Sequence, residues 1–138
     1  MMRKLDQRGA AALEFCIVAV PLFILMFAIF DFGRYAITMQ SLRTLANAGA
    51  RATMIKCYTP AVTASNSPSG CTDINTYLPD AQKQDAAPFL YSAGLTPALG
   101  TTSGASALTI TASVSFTMIM PIWGATFTDP SASTQIPF

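Results

Sequence analysis

The sequence predicts an α+β fold: one long N-terminal helix with a small C-terminal antiparallel β hairpin or sheet packed on its outer half. Three observations predict it. From Ala10 to Phe30 only one side chain is ionisable, Glu14, and that length matches the ~20 apolar residues a helix needs to cross a bilayer. Helical spacing then continues beyond Gly33. Finally, residues 107–118 alternate apolar and hydroxyl side chains, the pattern of a strand with one buried face.

The apolar stretch is too long for the core of a secretory signal, and no small-x-small cleavage site follows Phe-Ala-Ile-Phe-Asp at its far end. It reads as a retained membrane span. Before it lies a short leader, residues 1–9, with Arg3, Lys4 and Arg8 against Asp6. Such a leader favours a cytoplasmic N-terminus, although Arg34 and Arg43 on the far side weaken the asymmetry.

Glu14 is the odd residue. A carboxylate in the centre of the hydrocarbon costs roughly 2.5–3.5 kcal/mol on insertion scales, and less near an interface. Glu14 therefore sits at the headgroup boundary, or something in the membrane relieves its charge. If the helix starts near Ala10, Glu14 is close to its positive end, where a carboxylate is favoured. A cationic amine from a packed neighbour would relieve it further. Cutting the chain after Gly9 would create such an amine, and a residue without a side chain enters a protease cleft readily in extended form.

Arg8-Gly9-Ala10-Ala11-Ala12-Leu13-Glu14-Phe15, the apolar run with Pro21, and Asp31-Phe32-Gly33-Arg34 together resemble the TadE-like family. These are small pseudopilins of bacterial tight-adherence (Flp-type) pilus systems. The resemblance covers residues 7–55 and is loose beyond. It implies cleavage between Gly9 and Ala10 by a prepilin peptidase on the cytoplasmic face. Glu14 then becomes the fifth residue of the mature chain, followed by Phe15. In pilin-like proteins that glutamate is thought to meet the new N-terminal amine of a neighbour and set subunit register.

The resemblance also implies partners and a location. The partners are other pilin or pseudopilin subunits, the prepilin peptidase, the inner-membrane assembly platform and the lipid bilayer. The location is the bacterial inner membrane, single-pass, N-terminus cytoplasmic and C-terminal domain periplasmic. From there such subunits either enter the surface pilus or stay at its base.

The elements follow in order. The span covers residues 10–31, with Pro21 inside it. In membrane helices Pro is tolerated, because neighbours or local adjustment satisfy the freed carbonyl. It marks either a plain kink or a segment that loosens when subunits leave the bilayer. Residues 32–56 continue the helix. Phe32, Tyr35, Met39, Leu42, Ala46, Gly49 and Thr53 recur at intervals of three and four, a packing seam. It faces the chain's own sheet, other subunits, or both. Asp31 and Arg34 are spaced to pair at the membrane surface, where exposed pairs add little. A helix over residues 10–56 is roughly 70 Å long at 1.5 Å per residue.

Residues 57–138 form a loop-rich domain. Pro60, Asn66, Ser67, Pro68, Ser69 and Gly70 are loop chemistry, bracketed by Cys57 and Cys71. Outside the cytoplasm a disulfide is their default. A redox pair or metal site lacks C-x-x-C spacing and further ligands. Cys16, in the span, reads as a small packing residue. Asp80 is placed to cap a short helix through Ala87, limited by Pro88. Residues 95–106, with Pro97, Gly100 and Gly104, read as a flexible loop. The strand over 107–118 presents Leu108, Ile110, Ala112, Val114, Phe116 and Met118 on one face. Pro121 and Gly124 make a turn, with Trp123 at its tip for core packing, membrane-surface contact or subunit contact. A second strand falls within 125–137, confined to an edge by Pro130 and Pro137.

Composition excludes several classes. The chain of 138 residues is 51% hydrophobic and 11% charged, with net charge +1. It has no basic run or recognition motif for nucleic acid. With no histidine, serine–histidine catalysis, imidazole acid–base chemistry and the usual zinc sites are out. Its acids are scattered and no phosphate loop appears. No catalytic residue, metal or cofactor is expected, and the chain reads as no enzyme.

Three functions remain. The first is a structural minor pilin or pseudopilin in assembly of a tight-adherence pilus, acting by subunit packing after cleavage at Gly9-Ala10. The second is an unprocessed single-span anchor whose outer domain binds a partner. The third is a binding module at a pilus tip, using the loop between Cys57 and Cys71.

Overall fold

A computed structural model describes residues 7–119 and 129–138, with side chains from Gly9 onward. The first element, α1, runs over Gln7–Thr53 and passes Pro21 without interruption. It does not end near residue 56. A π-helical turn at Met54–Tyr58 leads directly into α2, Thr59–Thr63, so the helical backbone reaches Thr63. From Gly9 that is 55 residues, or ~80 Å.

Pro60 explains the π turn. It has no N–H for the carbonyl four residues back, and the backbone widens there, with Thr59 N–H donating to the Met54 carbonyl five residues back. Tertiary bonds hold the widened segment. Lys56 Nζ donates to the Tyr77 carbonyl at 2.7 Å, and the Tyr58 hydroxyl donates to the Pro137 carbonyl at 3.2 Å. Cys57 and Cys71 form a disulfide, with Cα atoms 5.8 Å apart. Pro60, read as loop chemistry, therefore lies in helix, and the loop begins after Thr63.

Short helices return the chain along α1: a 3₁₀ turn at Pro68–Gly70, then α3 at Ile74–Tyr77, α4 at Asp80–Ala86 and α5 at Pro88–Ser92. The α4 helix lies where Asp80 suggests, but Asp80 is not its cap. Pro79 occupies the cap position and Asp80 the first turn. The Asp80 carboxylate instead accepts from Lys83 Nζ at 2.8 Å, and Lys83, itself buried, also donates to Asn75 Oδ1 at 2.9 Å.

Among the described residues the sheet has three antiparallel strands in order β1-β2-β3: Ala98–Ser103, Ala107–Ser113 and Ser131–Pro137. The stretch read as a flexible loop is in part a strand. Ala98–Ser103 has little apolar alternation of its own, and pairing with β2, Thr101 opposite Ile110, supplies its order. The alternation around β2 holds: Leu108, Ile110, Ala112, Val114 and Phe116 are buried, while strand pairing stops at Ser113. β3 is an edge strand and ends at Pro137, as the ring's missing N–H favours. The Pro121–Gly124 turn, Trp123 and the leader residues Met1–Asp6 lie outside the described residues.

The core joins α1 to the sheet and the short helices. One cluster holds Leu42, Leu45, Ala46, Leu78, Leu90 and Val114, and another holds Ala50, Cys71, Leu108, Ile110 and Ile136. Gly49 sets the closest approach. A Cβ there would lie 3.2 Å from Ile110 Cγ2 and 3.4 Å from Ile74 Cδ1. The α+β architecture expected from the sequence, a long helix with antiparallel strands against its outer half, is the fold observed.

Candidate functional site

Among the described residues nothing buries the inner part of α1. Its 18-residue apolar window is 0% buried, and the helix is long and apolar enough to cross a membrane. Phe15, Ile17, Leu22 and Leu25 are all exposed. A helix that is apolar all round belongs in lipid or in the core of an assembly.

Gly9, Ala10, Glu14 and Phe15 lie together on this bare helix, all exposed. The described helix already includes Gln7, so the Gly9–Ala10 peptide is helical. This corrects the expectation of a helix starting near Ala10. Glu14 is seven residues in from Gln7, and the favourable pull of a helix N-terminus fades within the first turn. In the intact chain the helix end therefore does little for Glu14. A new terminus at Ala10 would bring that end within about one turn of it. Glu14 has no hydrogen-bond or ion-pair partner among the described residues. Cys16 is a free thiol and exposed, so it is not part of the described core.

Where the apolar run ends, the geometry changes. Asp31 is 3% exposed. Its Oδ1 accepts the Ile119 backbone N–H at 3.1 Å and Arg34 Nη1 at 3.4 Å. The Arg34 guanidinium lies 5.4 Å from the centroid of the Phe116 ring, and Tyr35 meets the same ring edge-on at 5.5 Å. Thr38, 1% exposed, donates its hydroxyl to the Arg34 carbonyl at 2.8 Å. The pair read as an exposed surface bridge is thus half-buried: the Arg34 side chain stays partly exposed, while the buried Asp31 carboxylate ties α1 to the segment after β2. The sequence reading missed Asp31 and Thr38 as packing residues.

The seam is phased differently from its expectation at one end. Leu42, Ala46 and Gly49 are buried against the chain's own sheet and short helices, and Tyr35 and Met39 are half-buried. Phe32 is 63% exposed. Asp31 takes the inward position, one residue or ~100° round the helix from Phe32. A signal was present: Asp31, Tyr35, Thr38, Leu42 and Leu45 recur at three and four, and an acid in phase with such a stripe implies a buried partner. Among the described residues no group of three His, Cys, Asp or Glu side chains is placed to hold a metal.

The bare helix, its single acid and the seam fall in one continuous segment. Residues 9–51 match the family model of TadE-like proteins. No curated protein and no solved structure matches the chain. The TadE-like segment begins at Gly9 and ends two residues before the close of α1. It therefore takes in the bare inner helix, the Asp31 tie and the Gly49 contact. The loop-rich lobe and the sheet lie outside it.

Proposed function

We propose that this chain is a structural minor pilin or pseudopilin that takes part in assembling a bacterial tight-adherence pilus. The TadE-like segment relates the chain to these systems. On this reading a prepilin peptidase cuts after Gly9, and the new Ala10 amine of one subunit pairs with Glu14 of another. The chain crosses the inner membrane once, with its leader in the cytoplasm and its sheet domain in the periplasm. Its work is done by packing and involves no chemistry of its own.

The observation that carries this reading is the bare helix bearing Glu14. Within one chain the carboxylate has no described partner, and a lone carboxylate in an apolar medium is costly. An adjacent ammonium answers that cost. The helical Gly9–Ala10 bond fits the proposal if the helix end unwinds for cleavage. Glycine weakens a helix by roughly 0.5–1 kcal/mol relative to alanine, so it is a favourable place to unwind.

The test is Gly9→Ala in the full chain, expressed with its native secretion machinery. The reading expects the precursor to accumulate uncut, with unchanged gel mobility and an intact leader by mass spectrometry. Processing equal to that of the parent would count heavily against it and favour an unprocessed single-span anchor.

A further inference from the structure

We propose that the groove between α1 and β3 docks the acidic α3–α4 lobe of a second copy of this chain, joining copies head to tail. The proposal rests on the reading that copies of the chain meet in an assembly, and it names the surfaces that meet.

The groove runs along the outer half of α1. It is made of two recesses: Met39, Arg43 and Asn47 line one, and Ala50, Arg51, Met54 and Ile55 line the other, with Ser131–Pro137 as the opposite wall; between them Thr134 Oγ1 donates to Asn47 Oδ1 at 2.7 Å and bridges the walls. Its ends differ in character. Met54 and Ile55 are exposed at 40% and 68%, so the far end is apolar. Arg43 and Arg51 are exposed two turns apart on one side of the helix, ~12 Å at 1.5 Å per residue. Neither is in an ion pair among the described residues.

The matching charge lies on the other flank. Residues 73–85 carry Asp73, Asp80 and Asp85 against one base, Lys83. Lys83 is buried, while the Asp80 side chain is 83% exposed. Asp73 and Asp85 are exposed too. With Lys83 paired to Asp80 and Lys56 held at the Tyr77 carbonyl, Asp73 and Asp85 are the lobe's exposed acids outside any ion pair among the described residues. The α4–α5 junction borders α1 at Ser41 and Thr44, and the groove borders it at Arg43 and Asn47. Moreover, α3 contacts β1, the strand at the opposite sheet edge from β3. The basic groove and the acidic lobe therefore flank opposite edges of the sheet.

Among the described residues neither edge is guarded by charge. Ala98–Ser103 and Ser131–Pro137 contain no charged residue, although exposed edges are usually protected by charge. Complementary surfaces at opposite edges give a heterologous contact. Such a contact repeats without closing and produces a filament or ladder, not a two-fold dimer. Opposite charge steers the approach and fixes register.

The experiment uses the full chain in its native membranes with Cys16→Ser, Ile55→Cys and Gln82→Cys. These two positions lie beside the charges and leave them in place. A short thiol cross-linker should give a ladder of dimers, trimers and higher species. Arg43→Glu with Arg51→Glu should abolish the ladder, as should Asp73→Lys with Asp85→Lys. All four reversals in one chain should restore it, which separates lost charge matching from misfolding. No ladder, a ladder indifferent to reversal, dimers from Ile55→Cys alone, or cross-links only to a different polypeptide would each overturn the proposal. Leader cleavage is read in the same samples. A cut leader without a ladder removes this contact and leaves the pilin reading standing; a ladder with an uncut leader does the reverse.

Discussion

Asp31 accepts the backbone N–H of Ile119 at 3.1 Å, 88 residues along the chain. The bond sits where the bare helix gives way to the packed one. It fixes the segment after β2 to α1, with Arg34 and Phe116 stacked beside it. Removing the carboxylate leaves a donor without its acceptor in a site that is 3% exposed at Asp31. Asp31→Ala should cost about 1–3 kcal/mol, and Asp31→Asn less, since an amide oxygen still accepts. Denaturant unfolding of the full chain in detergent, followed by the circular dichroism of the domain, checks the order of the two.

Gly49 makes a second, sterically opposite prediction. Alanine gains roughly 0.5–1 kcal/mol of helix propensity, but its Cβ would press on Ile110 Cγ2 at 3.2 Å. The two effects offset, and Gly49→Ala should lie within about 1 kcal/mol of the parent. Gly49→Val adds methyls with nowhere to go and should destabilise by about 1–3 kcal/mol. The same unfolding assay measures both.

The Cys57–Cys71 bridge closes a loop with a sequence separation of 14 and joins the π turn to the lobe. Replacing both cysteines by serine should lower stability by about 3 kcal/mol. Reduction of the parent should give the same loss. Cys16→Ser should leave the unfolding midpoint unchanged, because the Cys16 thiol is free and exposed.

Glu14→Gln separates cutting from packing. The side chain lies more than one helical turn past the Gly9–Ala10 bond, so the leader should still be removed. The neutral amide can still accept a hydrogen bond but carries no charge to pair with an ammonium, and assembled pili in the sheared surface fraction should fall sharply. Wild-type levels of pili from Glu14→Gln would remove the amine pairing from the account.

Much of the fold was legible because its two periods are clean. The apolar run from Ala10 to Phe30 and the alternation from Leu108 to Phe116 each speak with one voice. The rest was hidden where tertiary contact overrides local preference. Pro60 signals a break, yet the Tyr58–Pro137 and Lys56–Tyr77 bonds and the disulfide hold the chain helical around it. β1 has weak strand character of its own and is ordered by β2. Asp31 looks like a surface acid until the segment that follows β2, through Ile119, is brought beside it. Glu14 stood out in the sequence because it is the one acid in the apolar run from Ala10 to Phe30.

The most direct test is the N-terminal sequence of the native protein recovered from membranes. The account predicts that it begins at Ala10, placing Glu14 fifth. A protein that still begins with its methionine and basic leader would contradict the account and leave a plain membrane tether.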